Sequence, residues 1–81
     1  MNQTIELLAY KGLLYEVEGS LKRMLIMDAE LKRQLKEGFY KTPEEIKGAT
    51  NLSIRAASQI EQAELLIESY KEKIEELSKK V

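Results

Sequence analysis

The sequence predicts an all-α protein built from two long antiparallel helices, a helical hairpin with coiled-coil-like packing. Two runs of mostly apolar residues recur at alternating spacings of three and four, which keeps one stripe of each helix against a neighbouring helix. A glycine and a proline mark a break between the runs. The break is only a few residues long, so the second helix must turn back along the first.

The first helix is predicted to span residues 4–37. Its heptad positions a and d, called the seam here, hold Leu7, Tyr10, Leu14, Val17, Leu21, Met24, Asp28, Leu31 and Leu35. Asp28 is the charged member of this otherwise apolar stripe. Polar residues at such positions commonly set the register or the oligomeric state of packed helices, and we assign that role to Asp28.

The turn is predicted over residues 38–42. Gly38 suits the left-handed residue that ends many helices. Thr42 and Glu45 form a capping box around Pro43, which occupies the first position of the next helix. Both signals place the end of one helix and the start of the other within a few residues.

The second helix is predicted over residues 43–80, which makes residues 1–81 a single hairpin domain. Its seam positions are Ile46, Ala49, Ser53, Ala56, Ile60, Ala63, Ile67, Tyr70, Ile74, Leu77 and Val81. Helix propensity is low between Gly48 and Ser53. An alternative with a separate short turn there, giving three helices, therefore stays open at this point.

Composition limits the classes of function. The chain has 81 residues, no cysteine and no histidine, so disulfides, thiolate metal sites and the commonest general base are excluded. A domain of this size is marginally stable alone, and oligomerisation is the expected source of further stability. A net charge of −1 argues against general affinity for nucleic acid or acidic membranes. No apolar run approaches a membrane span and no signal-peptide pattern is present, so we expect a cytoplasmic location without membrane contact.

Apolar residues also lie beside the seam, in larger number than a two-helix hairpin needs. We therefore expect a homodimer or higher oligomer, in which two hairpins form a four-helix bundle. The residues assigned to the oligomer interface are Leu13, Leu25, Met27, Asp28, Leu52, Ala57 and Leu66. Ile26 and Leu65 lie on the nominal outer face and are candidates for contact with another protein.

Charge is distributed unevenly along the predicted hairpin. Residues 20–60, at the loop end, carry a net charge of +3, whereas the remaining residues carry −4. An antiparallel arrangement of two hairpins sets each basic end against an acidic end.

The hairpin tip is the best candidate for a local binding site. Phe39, Tyr40 and Lys41 place two aromatic rings and a lysine together, the combination used to bind RNA or a nucleotide. The structural alternative is that an aromatic ring simply covers the end of the core. No residues are assigned to catalysis, cofactor binding or metal binding, because nucleophile motifs, phosphate loops and ligand clusters are missing.

Two parts of the sequence carry a resemblance. The segment AYKGLLYEVEG (residues 9–19) and the break at Pro43-Glu44-Glu45 make the chain similar to small helical-hairpin proteins of Mu-like prophage early regions. Those proteins carry the proline turn directly after the first helix, whereas Gly38-Phe39-Tyr40 intervenes here. The resemblance implies a phage-type accessory protein and no particular activity.

These observations favour a non-enzymatic, homo-oligomeric interaction protein. In its most concrete form it is a phage or mobile-element accessory that regulates or inhibits a partner protein by binding. The alternative is an RNA- or nucleotide-binding bundle, similar in plan to the plasmid copy-number RNA modulator.

Overall fold

The computed structural model of the protein describes residues 2–80 and contains two α-helices, α1 (Asn2–Lys36) and α2 (Pro43–Lys80), with no strand in that range. The helices pack side by side as an elongated hairpin of 59 × 14 × 14 Å. The predicted all-α hairpin is confirmed. α2 has the predicted bounds, while α1 begins two residues earlier and ends one residue earlier than expected.

α1 ends in a Schellman motif. The backbone N–H of Phe39 donates to the carbonyl of Gln34 over 3.0 Å, and that of Gly38 donates to Leu35 over 3.3 Å. This pattern requires a left-handed residue at the first position beyond the helix. Gly38 supplies it with a φ of 75°, as its place in the sequence predicts.

α2 begins with the predicted capping box. The hydroxyl of Thr42 accepts a hydrogen bond from the N–H of Glu45 and donates one to the Glu45 carboxylate, each over 3.1 Å. The helix then continues without interruption to Lys80. Within the segment of low propensity, the Thr50 hydroxyl bonds to the carbonyl of Ile46 at 2.7 Å. The structure therefore has two helices, and the three-helix alternative is wrong.

Two contacts fix how the helices are aligned. The Asp28 carboxylate receives a hydrogen bond from Ser53, and the rings of Tyr10 and Tyr70 lie 5.9 Å apart between centroids. In both pairs the residue numbers add up to 80 or 81. Since the helices are antiparallel, residues that share this sum lie at about the same height in the hairpin.

The seam is where each helix faces the other. All nine seam positions of α1 are buried or half-buried, as are those of α2 from Ala49 to Leu77. Ile46 keeps the seam register but is the exception in burial, at 44% exposed. It lies at the height of Leu35, where α1 is about to end, so no further turn of α1 covers it. Val81 lies outside the described residues.

The hairpin buries little of its apolar surface. Its buried hydrophobic residues are Ala49, Ala63 and Leu77, and no large side chain in the described range is fully buried. The accessible surface is 6427 Å², whereas a compact monomer of this mass is expected to expose about 5,000 Å². A large apolar area therefore remains in contact with solvent.

Candidate functional site: exposed faces of the hairpin

The apolar residues outside the seam fall on separate faces of the hairpin. With 3.6 residues per turn, heptad position g points to one side of an antiparallel helix pair, position e to the opposite side, and positions b and f away from the neighbouring helix. The alignment of α1 with α2 then decides which residues of the two helices lie together.

One side carries most of the exposed leucine and methionine. We call it the apolar face and define it by the g positions Leu13, Ser20 and Met27 of α1 and Leu52, Gln59 and Leu66 of α2. Its four apolar side chains are 42–71% exposed. A groove of about 610 Å³ opens there and is lined by both Met27 and Leu52. The structure thus brings four of the seven predicted interface residues to one side.

The other side of the hairpin is charged. Leu25 and Ala57, which the sequence places with the same interface, lie here at e positions together with Lys11, Glu18, Lys32, Glu64 and Lys71. Their heptad positions place the two sets on opposite flanks of the helix pair, although Leu25 and Leu66 both line one wide groove of the hairpin.

Asp28 occupies neither side, because it lies in the seam itself. It is 8% exposed, and its carboxylate contacts α2 through Ser53 over 3.4 Å. Lys32, one turn further along α1, forms an ion pair with it at 2.9 Å. The group contributes to the contact between α1 and α2 of one chain, which agrees with a role in setting their register.

A second apolar surface lies on the side of α1 that faces away from α2. We call it the outer patch and define it by Ile5, Leu8 and Tyr15, with Ile26 at its far end, about 16 Å beyond Tyr15 and past Lys22; the four side chains are 63–81% exposed. Gly12 lies between Leu8 and Tyr15, and a Cβ built there meets nothing within 4 Å. Sequence reasoning identified Ile26 but missed the other three residues. Counting apolar residues at positions b and f would have found them.

Leu65, the other predicted outer residue, has different surroundings. The outward positions of α2 carry glutamates at 61, 68 and 72. Leu65 is 60% exposed and lies on a mostly acidic surface of α2, whereas Ile26 lies on α1 with Lys22, Arg23 and Glu30 one turn away. The structure therefore does not bring Ile26 and Leu65 into a common site.

The two aromatic residues at the tip have different surroundings. Tyr40 is half-buried and its hydroxyl donates to the Gln34 side chain at 3.0 Å, which ties the turn to α1. Phe39 packs edge-on against Tyr40 at 5.3 Å between centroids yet stays 64% exposed. Lys41 is exposed beside them. Of the two rings, Phe39 is the one available for stacking.

Near the tip, the Arg33 side chain forms ion pairs with two glutamates. Arg33 hydrogen-bonds to Glu30 and, over 2.6 Å, to Glu37. The bond from Arg33 lowers the pKa of the Glu30 carboxyl, and the same bond raises the pKa of the guanidinium. The charge of Arg33, one of the cations near Phe39, is therefore compensated within the chain.

Residues 2–80 contain no cluster of three or more acidic, cysteine or histidine side chains suited to a metal ion. Neither described helix is long and apolar enough to cross a membrane.

Comparisons with protein-family models, curated proteins and solved structures found no match. The resemblance to prophage hairpin proteins stays a prediction.

Proposed function

We propose that this protein is a non-enzymatic helical interaction protein that forms homo-oligomers and regulates or inhibits a partner protein by binding it. A phage or mobile-element accessory is the setting that the sequence favours. The observation that carries the proposal is the large exposed apolar surface, much of which lies on the apolar face and the outer patch.

Two exposed faces suit two kinds of contact. The apolar face spans both helices and suits self-association, because it lets two layers of helices pack into a bundle. The outer patch lies on one helix, is built around the 81% exposed Tyr15, and includes a glycine that leaves the surface flat. Exposed tyrosines with aliphatic neighbours are frequent anchors of protein–protein interfaces, so the outer patch suits the partner.

Self-association is tested by light scattering at micromolar concentration. We expect a mass of at least two chains, and Leu66→Glu should reduce it to the 9.3 kDa of one chain because it places an unpaired charge in an apolar interface. Leu65→Glu is a matched control, since the adjacent residue points away from the apolar face. A monomeric wild-type protein would contradict this half of the proposal.

Partner binding is tested by affinity capture from a filtered lysate, followed by mass spectrometry, with and without nuclease treatment. The proposal expects a nuclease-resistant protein that Tyr15→Ser no longer captures and that Leu65→Ser still does. Tyr15 and Leu65 are both exposed on outer surfaces, but only Tyr15 belongs to the outer patch. Loss of the same protein with both variants would indicate nonspecific apolar capture.

RNA or nucleotide binding at the tip is the second candidate. The exposed ring of Phe39 beside Lys41 favours it. The ion pairs of Arg33 with Glu30 and Glu37 argue against it, because they leave less free positive charge for phosphate contacts.

A further inference from the structure

The apolar face has a repeating order of residues along its length. Leu13 and Leu66 lie at one height, Ser20 and Gln59 seven residues along, and Met27 and Leu52 a further seven residues along. These heights follow from the contacts of Asp28 with Ser53 and of Tyr10 with Tyr70. The two apolar pairs, Leu13 with Leu66 and Met27 with Leu52, thus lie at equal distances from the central polar pair, Ser20 with Gln59. A rotation of 180° about an axis through the central pair exchanges the two apolar pairs.

We propose that a second copy of this chain covers the apolar face and runs antiparallel to the first, around a two-fold axis that passes Ser20 and Gln59. The inference rests on the homo-oligomer in the proposed function and specifies its interface. α1 then packs on α1 of the second copy, and α2 on α2. Leu13 faces Met27 of the second copy, Leu66 faces Leu52, and Ser20 and Gln59 each meet their own equivalents.

Charges at the rim fit the same axis. Glu16 and Arg23 occupy neighbouring c positions of α1, on the edge of the apolar face, and neither forms an ion pair within residues 2–80. They are seven residues apart, about 10 Å along the helix, which is too far for them to pair with each other. The rotation places each Glu16 beside Arg23 of the second copy. It also sets Lys73 at the height of the second copy's Glu45.

The two other arrangements of a second copy fit less well. A parallel dimer through the same face sets Arg23 at the height of Arg55 of the second copy and puts the two basic tips together. A dimer through the opposite side must desolvate Lys11, Glu18, Lys32, Glu64 and Lys71.

The hairpin as a whole exposes about 1,400 Å² more surface than a compact monomer of its mass, and covering the apolar face with a second copy reduces this excess. Leu8 and Tyr15 of the outer patch occupy b positions, away from the g positions of the apolar face, and stay accessible in this dimer. Ile26 lines the groove beside Met27 and Leu52 and therefore borders the interface.

Single-cysteine variants test the axis directly, because the chain has no native cysteine. Ser20→Cys and Gln59→Cys each place a thiol beside its own equivalent, and mild oxidation should convert most of either variant to a covalent dimer. Ser58→Cys, next to Gln59 but on the outer surface of α2, is the control that should stay largely uncross-linked. A parallel dimer predicts the reverse, with cross-links only when Ser20→Cys and Gln59→Cys chains are mixed.

Charge exchange tests the rim. Glu16→Arg and Arg23→Glu should each weaken dimerisation about tenfold at low salt, since attraction becomes repulsion at two symmetric places. The double variant, with both charges exchanged, should restore the wild-type dissociation constant. A wild-type dimer by light scattering without cross-links at Ser20 or Gln59 would overturn this interface and leave the homo-oligomer standing. A monomer would overturn both.

Discussion

Ser53 of α2 donates a hydrogen bond to the Asp28 carboxylate of α1, with 3.4 Å between Oγ and Oδ1. Asp28 is 8% exposed and lies in a stripe of apolar side chains. Lys32 neutralises its charge from the same helix at 2.9 Å. The group joins the two helices at one height, and a hairpin shifted by one heptad would leave the carboxylate against an apolar residue. A costly polar contact of this kind specifies alignment more than it stabilises the fold.

Asp28→Leu tests this role. We expect the free energy of unfolding to rise by up to about 1 kcal/mol, because an apolar residue replaces a buried charge in an apolar stripe. The oligomeric state should become mixed at the same time, as the constraint on alignment is lost. Thermal unfolding and light scattering measure the two effects. Asp28→Asn, which keeps an acceptor for Ser53, is the control. A less stable Leu variant with unchanged mass would instead mean that the carboxylate is purely structural.

Two glycines should respond in opposite ways to the same change. Gly12 lies inside α1 with open space around its Cβ position, so Gly12→Ala should stabilise the protein by about 0.5–1 kcal/mol. Gly38 has a φ of 75°, so Gly38→Ala should cost about 1 kcal/mol or more. Chemical denaturation measures both values. If a partner's backbone approaches the outer patch closely, Gly12→Ala will also weaken partner binding despite the gain in stability.

The heptad pattern predicts the hairpin well because it records the one surface that each helix must bury. It gives the seam from Leu7 to Leu77 and, with Gly38 and Thr42, the turn. The heptad pattern predicts the exposed faces of the hairpin less well than the seam. Leu13 and Leu25 both flank the seam, and the sequence prediction assigned them to one interface although their g and e positions put them on opposite flanks of an antiparallel pair.

The outer patch was harder to predict for a different reason. Positions b and f are normally solvated, so isolated apolar residues there are not informative one at a time. Leu8 and Tyr15 become a surface only when helical geometry gathers them around Gly12. Their function depends on a partner, and a single chain carries no pattern that names it.

The ion pairs of Arg33 with Glu30 and Glu37 predict a small contribution to the stability of the fold that is lost in acid. Hydrogen bonding from Arg33 lowers the pKa of Glu30 below its ordinary 4.5. A lowered folded-state pKa stabilises the fold at pH above the ordinary value, and this contribution is lost as the pH falls through the lowered one. Glu30→Gln should therefore lower Tm slightly at pH 7, and the effect should shrink as the pH falls below 4.5 through the lowered pKa. Glu64→Gln serves as the comparison, and 0.5 M NaCl should reduce the difference at pH 7.

Variants at the outer patch and the tip separate the two candidate functions. If the patch binds a protein, Tyr15→Ser or Ile26→Ser should weaken binding at least about thirtyfold, since a buried anchor is worth roughly 2 kcal/mol or more. Phe39→Ala and Lys41→Ala should then change the dissociation constant little. If the tip binds RNA, Phe39→Ala and Lys41→Ala should weaken binding, because stacking contributes about 1–3 kcal/mol per base. Tyr15→Ser and Ile26→Ser should then change the dissociation constant little.

The salt dependence of binding is an independent test of the same two candidate functions, because lysine–phosphate contacts release counterions and so weaken as salt is added. We expect the protein partner's dissociation constant to vary weakly between 50 and 200 mM salt, as the side chains proposed to anchor the partner, Ile5, Leu8, Tyr15 and Ile26, are uncharged. Isothermal titration with each variant at both salt concentrations measures it. Steep weakening by salt, together with loss on Phe39→Ala and retention with Tyr15→Ser, would show that the tip and not the outer patch carries the function.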